Sequence, residues 1–200
     1  MVVGLVLAAG LSSRMGRCKA LLPWDENRSV IEQILSQLQQ TNLHDILVVT
    51  GNLAEQVTAK VTAMGIATVH NPEYATGEML SSLKVGLSVQ METVSAVLVV
   101  LGDQPRLESS IVLQLLDAYE QGEGEIVAPR YRGERGHPMV ISRRYWDEIL
   151  ALPEGSAPRD VIQQHRDKLY FVDVESDSVL SDIDTPEDYE LERKRAGLVK

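Results

Sequence analysis

The chain has 200 residues, 44% apolar, 24% charged and 4% aromatic, enough for one full hydrophobic core and too apolar for intrinsic disorder. Nineteen Lys and Arg against 29 Asp and Glu give a formal net charge of −10, which repels nucleic acid and anionic lipid but leaves room for one local phosphate site built from a few cations and amides. The single cysteine, Cys18, excludes an intrachain disulfide and a paired-cysteine zinc site, and no run reaches the roughly 20 apolar residues of a membrane span, so the expected location is the cytoplasm.

In chain order, Val2–Ala8 is an apolar run of strand length. No Lys or Arg precedes it and it leads into a Gly/Ser/Arg loop, so it is read as a first strand rather than a signal peptide. That loop places Ala8, Ala9 and Gly10 where a backbone or a flat base must come close, then supplies Ser12, Ser13, Arg14, Gly16, Arg17 and Lys19. A plain turn accounts for the glycines but not for the run of small residues beside three cations. Ala20 after Lys19 rules out a Walker A loop, and no G-x-G-x-x-G is present.

Ser29 and Glu32 have capping-box spacing before a stripe of Ile31, Ile34, Leu35 and Leu38, which predicts a helix. Asp45–Thr50 reads as a second buried strand, and Asn52 with Glu55 as the start of a helix carrying Val57 and Val61. Ala67–His70 is a weaker strand. Gly77 to Leu83 leads into a helix expected over Ser81–Met91, where Ser82 serves either a base or the helix end.

Ala96–Leu101 is the third buried strand, and Gly102-Asp103-Gln104-Pro105 follows it directly. The sequence reads as an ordinary turn, but a carboxylate at the end of a central strand is also placed to hold a hard cation. Val112, Leu115, Leu116 and Tyr119 mark a helix ending by Gly122. Glu125–Ala128, Pro138–Ile141 and Leu169–Val174 are weaker strands, some antiparallel or at an edge, and Arg143–Ala151, Pro158–Arg166 and Pro186–Arg195 are helices.

The stretch from Arg130 to Pro138 reads as a loop whose Arg130, Arg132, Arg135 and His137 form an anion-binding lip or a solvated surface. In Asp182-Ile183-Asp184-Thr185-Pro186-Glu187-Asp188, Thr185 is an N-cap with Pro186 at the first helical position, so Glu187 and Asp188 are structural while Asp182 and Asp184 share a face of an extended segment. The histidines have no ligand spacing, and Cys18 is a bystander. Arg193-Lys194-Arg195 suits a helix C-terminus and is given no function. The pattern as a whole is one α/β domain over residues 1–200, a three-layer, mostly parallel sheet with helices on both faces. Its ligand is expected outside the carboxyl ends of the strands.

The run LAAG-x-S-x-R-M-G-x-x-K at Leu7 to Lys19 resembles the signature of molybdenum cofactor guanylyl- and cytidylyltransferase-like nucleotidyltransferases. GDQP at Gly102 and DIDTPED at Asp182 are similar to two further stretches of that family. The resemblance implies a Rossmann-like, glycosyltransferase-A-like fold and attack of an acceptor phosphate on the α-phosphorus of a nucleoside triphosphate. It implies that Leu7, Ala8, Ala9, Gly10, Ser12, Arg14, Gly16 and Lys19 wrap the nucleotide, with Lys19 and Arg14 on its phosphates. Asp103 would hold magnesium together with Asp184 or Asp182, Asp184 being preferred. Gly77 and Ser82 would lie near the base, although Glu78 and Leu80 depart from that turn of the family. Arg135, Gly136, His137 and Pro138 would face the acceptor.

Ala9 and the RGHP segment look like the cytidylyl branch and favour CTP over GTP. A molybdopterin-type acceptor and a receiving apo-molybdoenzyme rest on the resemblance alone. Guanylyl transfer, transfer to a sugar phosphate, and a non-catalytic cofactor carrier are the other readings; a carrier has no need of Lys19, Asp103 and Asp184 together.

Overall fold

Three short Val/Leu/Ile runs pair in the middle of one sheet. In the computed structural model, which describes residues 1–199, β1 (Val2–Ala8), β2 (Asp45–Thr50) and β4 (Ala96–Leu101) lie parallel in the order β2-β1-β4. Alternate side chains of β1 enter different cores, Val6 and Ala8 on one face and Val3 and Leu5 on the other. Burial on both faces is why the run has no polar position.

β3 (Ala67–His70) extends the sheet in parallel beyond β2. On the other side, β7 (Met139–Ser142) lies antiparallel between β4 and β5 (Ile126–Tyr131). β6 (Glu134–Arg135) folds back on the end of β5, and β8 (Leu169–Asp173) runs parallel to β5 as its last neighbour. The three-layer, mostly parallel architecture expected from the sequence is the one observed, with eight strands.

One face is covered by α1 (Val30–Leu38), α2 (Ala54–Ala63) and α4 (Ser109–Glu120), whose Ile31, Ile34, Val57, Val61, Leu115 and Leu116 share a core. The opposite face is covered by α3 (Glu78–Ser88), α5 (Trp146–Ala151) and α6 (Pro158–Gln164), through Leu83, Leu87, Trp146, Ile149 and Ile162. α7 (Pro186–Arg195) closes the chain. Burying each such side chain contributes about 1.5–3 kcal/mol. Among the described residues no helix is long and apolar enough to cross a membrane.

Three local expectations are corrected and one element is added. Asn52 does not cap α2: Leu53 does, in the left-handed region at φ 51°, while the Asn52 amide donates to Leu11 O at 3.3 Å. α3 starts at Glu78 rather than Ser81 and ends at Ser88 rather than Met91. The stretch from Arg130 to Pro138 is no loop, because β5 continues to Tyr131 and pairs with β6 in a hairpin. A 3₁₀ turn at Asp177–Leu180, absent from the sequence reading, leads into the DIDTPED segment.

Candidate active site

At the carboxyl ends of β1, β2 and β4 the backbones are pressed together. A Cβ on Gly51 would lie 2.5 Å from Ala9 O, and one on Gly102 2.7 Å from Leu7 O. Only glycine allows these approaches. Beyond them opens a cavity of about 410 Å³, walled by the loop after β1, the turn after β3, the start of α3 and the end of β4.

The loop after β1 is folded by its own groups. Ser12 adopts φ 54° and its carbonyl accepts the amides of Met15 and Gly16, both at 3.1 Å. The Ser12 hydroxyl oxygen accepts Lys19 N–H at 3.1 Å, which starts a 3₁₀ turn at Lys19–Leu21. This directs the Lys19 side chain inward, where it is 15% exposed.

Lys19 Nζ donates to Asp103 Oδ2 at 3.1 Å and to Asp184 Oδ1 at 2.7 Å. Arg14 Nη1 takes the other Asp184 oxygen at 2.8 Å from an exposed position. The strand end and the distant DIDTPED segment are joined through the backbone as well, Ile183 N–H donating to Asp103 O at 3.0 Å. Asp188 fixes the far side of the segment by accepting the amides of Asp184 and Thr185 at 3.2 and 2.9 Å. Thr185 caps α7 as expected, its hydroxyl accepting Asp188 N–H at 3.2 Å.

Burial works against the Lys19 charge, but the hydrogen bonds and charges of Asp184 and Asp103 outweigh it and hold its pKa above the ordinary lysine value. Lys19 is therefore an ammonium at neutral pH. Its hydrogen bond holds Asp184 below the usual carboxylate range. Burial pushes Asp103 up, and the pull of Lys19 offsets only part of that. Burial and the nearby Asp184 charge raise Asp182 too, against the hydrogen bond it accepts from Gln104 Nε2 at 2.5 Å.

Asp103 and Asp184 thus converge on one cation position, held here by the lysine. Two hard carboxylates that leave the remaining positions to substrate phosphates and water suit magnesium or manganese. Asp182 is turned to Gln104 and is not part of this pair. Among the described residues no three His, Cys, Asp or Glu side chains gather as a metal cage.

Of the nucleotide-site residues expected from sequence, Leu7, Ala8, Ala9, Gly10, Ser12, Lys19 and Ser82 line the cavity, as does the expected metal ligand Asp103, whereas Arg14 does not. Gly16, at φ 68°, shapes the loop from outside it. Gly77 is also outside: it ends the approach to α3 and packs on Ser81. The Ser82 hydroxyl oxygen accepts from the buried Asn71 amide at 3.0 Å. Tyr74, Thr76, Glu78 and Met79, which the sequence reading did not select, form the wall beside Ser82.

Of the arginines expected to form an anion lip, only Arg130 is neutralised by an acidic partner among the described residues. Arg130 makes two hydrogen bonds to Asp173, at 2.7 and 2.8 Å, and Arg132 stacks on Tyr131 at 5.1 Å. Gly136 is wedged against Val179 and Pro138 is buried, so both serve the packing. Arg135 is exposed, with no ion-pair partner among the described residues. His137 is anchored by its N–H to Val179 O at 3.0 Å; burial, with the Arg135 charge, lowers its pKa to about 4 and keeps it neutral. Cys18 lies in the cavity wall with its thiol pushed up by burial, which disfavours a nucleophilic thiolate.

The model of the MobA-like NTP transferase domain matches residues 4–169. The chain is 30% identical over 193 residues to the molybdenum cofactor cytidylyltransferase of Escherichia coli K12, covering 96% of this chain and 95% of that protein. It is 31% identical over 194 residues to a protein of Paenarthrobacter nicotinovorans named nicotine blue oxidoreductase, covering 93% of each. The crystal structure of Rv0371C from Mycobacterium tuberculosis H37Rv in complex with manganese is 26% identical, with a TM-score of 0.81 over 96% of this chain and 98% of that one. With the loop after β1 and the carboxylate at the end of β4 both inside the matched span, the chain belongs to the MobA-like NTP transferase domain family and is a nucleotidyltransferase.

Proposed function

We propose that the chain transfers CMP from CTP to the terminal phosphate of a molybdopterin-type cofactor and releases pyrophosphate. The observation that carries this reading is the Lys19 ammonium set between Asp103 and Asp184 on the floor of a cavity of nucleotide size. An acceptor phosphate oxygen forms the new bond to the α-phosphorus, and the bond from that phosphorus to the β-phosphate bridging oxygen breaks, its electron pair leaving with pyrophosphate. A phosphate nucleophile is already ionised near neutral pH, so no general base is needed. Alignment and charge neutralisation then do the catalysis.

Lys19 and Arg14 face the triphosphate and stabilise charge on the departing pyrophosphate. Asp103 and Asp184 would hold magnesium, which would supply neutralisation of the phosphate charge. The small residues Ala8, Ala9 and Gly10 let the base lie flat against the backbone. Ala9 is buried in that wall, and its methyl narrows the base site, which favours CTP over GTP. Arg135 and His137 are the acceptor-side residues in this reading, and an apo-molybdoenzyme is the receiver of the product.

The test is pyrophosphate release from CTP, GTP, ATP and UTP with magnesium and, as acceptor, either purified molybdenum cofactor or a sugar phosphate. Release with CTP alone supports cytidylyl transfer. Release with GTP moves the base assignment, release only with a sugar phosphate as acceptor moves the acceptor, and no release with any pairing overturns the proposal.

A further inference from the structure

Asp103 and Asp184 approach each other closely enough to share one ammonium, at 3.1 and 2.7 Å. Two carboxylates so placed repel unless a cation lies between them. In this chain the cation is Lys19, whose side chain is 15% exposed, against 27% for Asp103 and 38% for Asp184. Beside them, Arg14 takes the second Asp184 oxygen, and Gln104 Nε2 donates to one oxygen of Asp182.

A divalent ion arriving alone would have to displace an ammonium tethered in contact with both carboxylates. A triphosphate changes this, because it offers Lys19 several oxygens of higher charge than the carboxylates it leaves. Resting on the triphosphate reading of this cavity, we propose that Lys19 is a tethered stand-in for the metal. Its ammonium keeps Asp103 and Asp184 paired until a triphosphate draws it away, so metal and nucleotide load together rather than metal first.

The test reads binding rather than turnover. Free manganese is measured by electron paramagnetic resonance in titrations of the wild-type chain and of Lys19→Met, both without nucleotide. Lys19→Met leaves the two carboxylates facing each other without their cation and is expected to bind manganese at least about tenfold more tightly. Equal or weaker binding, in a variant whose thermal melt shows it folded, overturns the proposal.

A second measurement uses the wild-type chain alone and stands even where Lys19→Met does not fold. Lys19 is labelled with an amine-acylating reagent across a manganese titration and read by peptide mass spectrometry. Labelling is expected to rise with manganese occupancy, since metal and ammonium exclude each other; occupancy without a rise overturns the proposal. Adding CTP separates the two ideas. If CTP does not promote manganese binding beyond the solution complex of the two, the triphosphate reading fails, whatever Lys19 does.

Discussion

Gly102→Ala tests whether strand packing sets the position of Asp103. A Cβ at residue 102 would lie 2.7 Å from Leu7 O and 3.0 Å from both Ala8 Cα and Ala8 Cβ. These belong to the end of β1, which is held in the ladder, and Gly102 N–H already donates to Leu7 O at 3.0 Å. None of them is the loose end of a flexible side chain. The two strand ends must part by about 0.7 Å to restore ordinary contact. Such overpacking costs about 1–3 kcal/mol, and at about 2–4 °C per kcal/mol for a chain of this length the melting temperature falls by roughly 2–12 °C. Asp103 is the next residue, so its carboxylate moves with the strand end. A displacement of about 1 Å costs about a hundredfold in rate, and about 0.7 Å is expected to cost at least about tenfold. Scanning calorimetry and pyrophosphate release on the same preparation measure both effects. A variant that melts within about 1 °C of the parent and turns over within about twofold would refute the account of the β1–β4 junction.

Other perturbations follow from the same geometry. Asp184→Asn removes a partner of Lys19 and is expected to lower turnover by about a hundredfold or more, whereas Asp182→Asn, at a residue held by Gln104, should cost less than about tenfold; the opposite order of effects would sink the assignment. Arg106 bonds Glu192 at 2.9 Å and Asp177 at 2.5 Å, and the Glu192 side chain is 4% exposed. Arg106→Met leaves Glu192 with Arg195 alone and should cost about 2–4 kcal/mol in urea unfolding, much of it recovered by adding Glu192→Met. His137, held down to about 4 by burial, binds fewer protons in the fold than in the unfolded chain between there and its ordinary value of 6.5. Stability should therefore fall as pH drops through that window, by up to ~3 kcal/mol, and His137→Gln should flatten the decline. Identical pH slopes in parent and variant would remove His137 as the cause.

The central sheet was legible because each strand is an apolar run closed at both ends by polar or glycine punctuation. β1 to β4 lie where those runs lie. The hairpin of β5 and β6 was hidden, since Pro129, Gly133, Gly136 and Pro138 punctuate it like a loop and its ladder consists of Arg130↔Arg135 and Tyr131↔Glu134. The start of α3 carries no cap chemistry: Gly77 precedes it without a side chain, and Glu78 sits at φ 50°, a conformation imposed by the turn from β3. Lys19, Asp103 and Asp184 could be read from motif and chemistry. Tyr74, Thr76, Glu78 and Met79 could not be picked by residue type, though the rule that ligands bind beyond the carboxyl ends of parallel strands points to the loop after β3 as a wall.

What holds Asp184, 165 residues along the chain from Lys19, decides how the site is built. The Asp184 side chain is 38% exposed, so its ion pairs contribute at most about 1 kcal/mol each and are too weak to fix it alone. Its neighbour Ile183 is fully buried in the core beneath α1 and α4, which contributes about 1.5–3 kcal/mol and leaves the residue no freedom to turn. Ile183 N–H on Asp103 O then sets the segment against the end of β4, and the Asp188 carboxylate holds the next two amides. Arg106, three residues after Asp103, clamps Glu192 of α7 from the same loop. One loop therefore supplies the first carboxylate and fixes the segment that supplies the second, so α7 is part of the framework that holds the candidate site rather than an appendage to the sheet.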